Sequence, residues 1–101
     1  MNEIGQDLIG QQVIVRSNIA GVFYGTMIAK QGNEIELKNA RKLRYWSGAN
    51  GLEQLAQEGV KNPQNCQFTM TVNCIINTYE QILPCTEIAY NSINSVPLWK
   101  L

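Results

Sequence analysis

The sequence predicts an α+β fold: a small antiparallel β-sheet, or β-roll, carrying two short helices. Three observations lead there. The first half holds three β-branched or alternating runs joined by tight-turn signals. Two stretches, 52–58 and the one after Thr86, have helical spacing and helix stops or caps. Between them lies a second set of strand-like runs.

The elements follow in order. Residues 1–10 form a weak helical or irregular lead-in, with Ile4, Leu8 and Ile9 as a short apolar stripe. Val13, Ile14 and Val15 mark a first strand from Gln12 to Arg16, and Ser17-Asn18 turns the chain. Gly21 to Ala29 is the second strand, where Gly25 signals a bulge or another backbone close by. Gln31-Gly32-Asn33 is a turn, and Glu34-Ile35-Glu36-Leu37-Lys38 alternates cleanly, so the pair reads as a hairpin. The third strand extends through a bend at Asn39-Ala40 to Trp46. Leu52 to Glu58 is a short helix with Asn50 as N-cap and Gly59 as stop. A loop follows at 61–65, then a strand carrying Phe68, Met70 and Val72, and a further strand region at 73–83 with a break near Asn77-Thr78. Pro84 ends it, and Thr86 caps a final helix with Ile88, Ala89, Ile93 and Val96 as its stripe.

Length and composition bound the class. At 101 residues, residues 1–101 form a single domain. The chain is 45% hydrophobic and only 16% charged, which excludes disorder and leaves the surface to Asn, Gln, Ser and Thr, or to an oligomer. Eight basic and eight acidic residues cancel, so nothing favours long nucleic acid. No apolar run is long enough for a membrane span, and Met1 to Asp7 carries no secretory pattern. The expected location is the cytoplasm, or the host-cell cytoplasm for a phage-encoded chain. Cys66, Cys74 and Cys85 are odd in number and widely spaced, and there is no histidine; neither a metal site nor a disulfide framework is expected.

Chemistry concentrates in one stretch, 39–51. Lys38, Arg41, Lys42 and Arg44 supply half of the basic residues, followed at once by Tyr45, Trp46 and the Ser47-Gly48-Ala49-Asn50-Gly51 loop. Guanidinium forks bind phosphate, aromatic rings stack on bases, and a glycine-bearing loop offers backbone N–H donors. These are the parts of a small site for a phosphorylated nucleotide. Its candidate residues are Arg41, Lys42, Arg44, Tyr45, Trp46, Ser47, Gly48 and Asn50. Alternation sets a limit: Arg41 and Leu43 share one face of the strand, Lys42 and Arg44 the other. The plainer alternative makes Leu43 and one ring core and leaves the cations solvated. Trp99 packs on the domain or on a partner subunit.

Catalysis is not expected. Without histidine the usual general base is missing, and the carboxylates are scattered. Cys85, at the start of the last helix, is the thiol best placed for activation, since a helix N-terminus lowers thiol pKa. No cofactor-binding motif is present.

The blocks Ala20-Gly21-Val22-Phe23-Tyr24-Gly25-Thr26, Asn39-Ala40-Arg41-Lys42, Tyr45-Trp46-Ser47-Gly48-Ala49, Glu58-Gly59-Val60-Lys61 and Ile82-Leu83-Pro84-Cys85-Thr86 resemble, in order, a family of short phage and prophage proteins first catalogued as a domain of unknown function. The resemblance implies a phage-type protein, and small phage proteins often counter host defence. One way is to act as a sponge that binds a cyclic nucleotide signal without cleaving it. The expectation is therefore a non-enzymatic, homo-oligomeric binder of a small nucleotide-derived ligand, in which replacing Arg41 by Ala weakens binding and leaves the fold intact. The alternative is a protein–protein interaction module that blocks a host or phage protein, anchored by Trp46 and Trp99.

Overall fold

A computed structural model describes residues 4–99. Residues 1–3 of the lead-in lie outside the described residues. The strands are β1 (Gln12–Ser17), β2 (Gly21–Gln31), β3 (Glu34–Tyr45), β4 (Gln67–Phe68), β5 (Val72–Ile76) and β6 (Gln81–Pro84). The helices are α1 (Leu52–Glu58) and α2 (Glu87–Asn94), with 3₁₀ turns at Gln6–Leu8 and Pro63–Asn65. The α+β expectation holds: six antiparallel strands form one sheet in the order β4-β3-β2-β1-β6, and β5 also pairs with β3.

Strand β3 serves two neighbours in succession. Its first half pairs with β5 (Ile35↔Ile76 to Ala40↔Val72) and its second half with β4 (Leu43↔Phe68). The expected bend falls at Asn39, whose φ is 54°. Against β5, three steps along β3 from Leu37 to Ala40 match two from Cys74 to Val72, so one residue is extra. The count against β2 agrees, since Tyr24↔Arg41 is followed by Thr26↔Lys38. Asn39 is thus a bulge relative to both neighbours. Gly25 lies opposite it, and a Cβ there would sit 3.1 Å from Ala40 Cα and 3.2 Å from the Lys38 carbonyl. The close backbone read from Gly25 is real, while the extra residue is across the pairing, on β3.

The bulge reverses which face odd-numbered residues occupy. Ile35 and Leu37 join one buried cluster with Val13, Val15, Met27, Ala40 and Ile76. After Asn39, Leu43 joins a second cluster, with Ile14, Tyr24, Phe68 and the helix residues Leu55, Ala56, Ile93 and Val96. The chain thus has a core on each side of the sheet, the second covered by helices. Over the first lies Leu8 of the 3₁₀ turn rather than an α-helix, and the sheet itself curls. Ile76 of β5 and Ile82 of β6, from opposite ends of the strand order, pack into this one cluster. Only residues 77–80 join those strands. That is a short span against roughly 19 Å for four strand spacings of a flat sheet.

The helices follow their sequence signals, with one correction. Thr86 caps α2 by accepting the Ala89 N–H, and Gly59 ends α1. Asn50 does not cap α1: Gly51 holds that position, and the Asn50 N–H donates to Gln54 Oε1 instead (2.8 Å). The continuous strand expected from Phe68 through Val72 is two short strands, β4 and β5, divided where β3 changes partner.

Candidate functional site

The 39–51 stretch is divided among three places, and the division follows from alternation along β3. Arg41 points to the helix side and is 3% exposed. Its guanidinium uses all five N–H groups on backbone carbonyls. Nε donates to Thr69 (2.9 Å), Nη1 to Ile93 (3.1 Å) and Val96 (3.0 Å), and Nη2 to Phe68 (3.1 Å) and Pro97 (3.1 Å). Burial pulls its pKa below the ordinary arginine value, yet a guanidinium keeps its charge in proteins. The Ile93 carbonyl lies in the last turn of α2 and that of Val96 just beyond it, where the negative end of the helix favours a cation. Arg41 ties together β3, β4, α2 and the final segment. This corrects its assignment to a ligand: no donor remains for a phosphate.

Lys42 and Arg44 point the other way, away from the helices, and are exposed. Each lies over an aromatic ring. Lys42 Nζ is 6.0 Å from the Phe23 ring centre, and Arg44 Cζ is 4.7 Å from that of Trp99. Tyr45 follows at the strand end, 54% exposed. Beside them, the Thr69 hydroxyl accepts the Lys42 N–H (2.9 Å). Of the expected residues, Lys42 and Arg44 thus stand over aromatic rings, and Tyr45 is exposed at the strand end. Phe23 was missed, although counting back eight residues from Gln31 and forward eight from Glu34 gives the observed Phe23↔Lys42 pair. Bulges on the two strands cancel over that length. Trp99 packs on its own domain, its backbone N–H donating to the Phe68 carbonyl (2.9 Å).

Trp46, Ser47, Gly48 and Asn50 form the third group. Trp46 packs half-buried against the helix-side core. The Ser47 N–H donates to Cys66 Sγ (3.4 Å), and its hydroxyl accepts from Asn62 Nδ2 (3.1 Å). Gly48 is held at φ 95°, where a Cβ would meet the Lys61 N at 2.5 Å. Gly48, Asn50, Gln54 and Lys61 edge a hollow of about 230 Å³, below the usual range of ligand pockets. A larger hollow, of about 630 Å³, lies elsewhere, between the first 3₁₀ turn and the β5–β6 connection. Lys30 and Tyr79 border it, with Lys30 Nζ 5.9 Å from the Tyr79 ring centre.

Cys85 departs from its expectation. Burial pushes its thiol from the ordinary 9.0 up to about 12. Tyr24, on the same core, is also raised, first by burial and then by Cys85. The folded chain holds the Cys85 proton in a range where the unfolded chain releases it. The stability this gives is complete below pH 9 and is lost as pH rises toward 12. Urea midpoints should therefore fall between pH 9 and pH 11, and replacing Cys85 by Ala should flatten part of that fall. An unchanged slope in the variant would remove Cys85 as its source.

Among the described residues, no group of three His, Cys, Asp or Glu side chains stands close enough to hold a metal ion. No described helix is long and apolar enough to cross a membrane. Residues 10–93 match the model of a family described as Domain of unknown function (DUF6948). No curated protein and no solved structure matches the chain.

Proposed function

The chain belongs to the DUF6948 family, and from that premise we propose that it is a non-enzymatic, phage-type anti-defence protein that binds and sequesters a cyclic nucleotide-like signal. The observation that carries this reading is the paired geometry on the open face of β3: Lys42 over Phe23 and Arg44 over Trp99. Cations held on aromatic faces keep their outward donors for phosphate, and the neighbouring Tyr45 ring offers a base a surface to stack on. Sequestration asks for affinity without turnover, which suits a chain with no histidine whose Cys85 thiol is held protonated against the helix-side core.

A second reading, a module that blocks another protein, draws on the apolar residues left exposed near this face: Tyr45, Met70 and Leu98. Thermal denaturation against cyclic di- and trinucleotides and cyclic ADP-ribose isomers separates the two. A ligand at 100 times its Kd adds about 2.7 kcal/mol of stability. Arg44→Ala should weaken that ligand on the order of tenfold or more, the worth of one charge-assisted contact. It should lower the unliganded stability by less than about 1 kcal/mol, because the side chain is exposed. No shift with any compound, or full affinity in Arg44→Ala, would transfer the face to the protein-blocking reading.

A further inference from the structure

Among the described residues, β5 pairs on one side only, with β3, so its other side presents free backbone donors and acceptors. Sheet edges of this kind are usually guarded by charge, proline or a covering element. The opposite edge of this sheet is guarded. Strand β6 is four residues long and ends in Pro84, and α1 lies beside it, with Glu53 and Gln57 bordering a shallow hollow against Leu83 and Pro84. Strand β5 has no such guard. No charged residue occurs from Asn62 to Tyr79 and no proline from Gln64 to Leu83. Two apolar side chains on β5 stand open, Val72 at 53% and Ile75 at 62% exposure.

We propose that β5 is a self-association edge, which pairs antiparallel with β5 of a second copy of this chain and continues the sheet across a two-fold axis. A strand is the partner that completes a backbone ladder, and three features favour this chain's own strand. The seam is uncharged, so two copies meet without like-charge repulsion. A two-fold axis at Cys74, the centre of Val72–Ile76, sets Val72 of each copy across from Ile76 of the other and uses the whole strand. Flanking charges then complement each other. Glu36 lies in register with Ile75, and Lys38 one step beyond the Leu37↔Cys74 pair, in line with Asn73. Ile75 lies across from the second copy's Asn73, so the row holding Glu36 in one copy runs into the row holding Lys38 in the other.

This pairing also bears on the ligand face. Val72 lies next to Ala40 on β3, two residues before Lys42. Beyond Val72, the second copy's β5–β6 connection runs on toward Met70 and Thr69, at the edge of the Lys42 and Arg44 face. The assembly thus gives a flat surface a wall.

Sedimentation from 1 to 100 µM, with no ligand present, tests the interface separately from the ligand reading. The parent should show a concentration-dependent monomer–dimer equilibrium, and Val72→Lys/Ile75→Lys should raise its Kd at least tenfold with an unchanged circular-dichroism spectrum. Hydrogen exchange gives a second readout on the unaltered chain: amides of 72–76 should gain protection on concentration, while those of β6 stay constant. A parent that remains monomeric at 100 µM, association unaffected by both lysines, or protection that ignores concentration would each overturn the proposal.

Discussion

Arg41→Ala is expected to lower stability by about 4 kcal/mol, the cost typical of breaking a buried charged hydrogen-bonding centre. The guanidinium is the donor for five carbonyls from β4, the loop after it, the end of α2 and Pro97. The Phe68 and Ile93 carbonyls keep the backbone N–H groups of Trp99 and Val96, but those of Thr69, Val96 and Pro97 lose their Arg41 donor, and a buried acceptor left unpaired carries a desolvation penalty. Against a typical total of roughly 5–15 kcal/mol for a small domain, that is a large fraction. It corresponds to a fall in Tm on the order of 15–30 °C. Arg41→Lys should recover only part of the loss, because one ammonium has three donors in a compact head and cannot span five separate carbonyls. Paired urea and thermal unfolding of the three proteins checks this. A parent-like Tm in Arg41→Ala, combined with lost ligand binding, would return Arg41 to the ligand and refute its structural assignment.

Gly59→Ala should destabilise the domain by about 3 kcal/mol, through two separable effects. Gly59 has φ 78° and ψ −153°, a region open essentially to glycine alone, and occupying it with a side chain costs about 1–3 kcal/mol. The added Cβ would also fall inside the Ser92 side chain on α2. That collision is with Ser92 Cβ, not with the tip of a flexible chain, so α2 must shift, at a further 1–3 kcal/mol or so. Ser92 cannot give way freely: its hydroxyl accepts the Val60 N–H (3.0 Å) and donates to the Val60 carbonyl (3.1 Å). Ser92→Gly itself loses the Val60 hydrogen bonds, so it serves as the reference: adding Gly59→Ala to Ser92→Gly should cost only the backbone part, the steric part having vanished. Equal urea midpoints for Gly59→Ala and the parent would contradict both effects.

Local signals reached far in this chain. The β1–β2–β3 meander came from alternation and turn residues, α1 and α2 from their spacing, Gly59 and Thr86. The opposite orientations of Arg41 and Lys42 came from the two-residue period. What alternation could not give was which face was inward. Arg41 looked like surface because arginine is rarely buried, and its carbonyl partners lie 27 to 56 residues away. No local window contains them. Trp99 beneath Arg44 was hidden for the same reason, since that contact depends on the final segment running alongside Phe68. Division of the stretch after Phe68 into β4 and β5 depended on β3 changing partner, which no property of residues 67–76 reveals.

Asn39 gives this domain a phase. As the residue of β3 that is extra against both β2 and β5, it sets which members of the following run, 40–43, are interior and which are surface. Deleting it would carry no chemical loss comparable to that of Arg41, yet it would rotate the downstream strand by half a period. Lys42 and Arg44 would then be driven toward the helices, and Leu43 toward water. The segment thus tolerates changes of letter far better than changes of length. Variation among related chains should respect that asymmetry, with substitutions at the exposed positions of β3 but insertions and deletions confined to its ends.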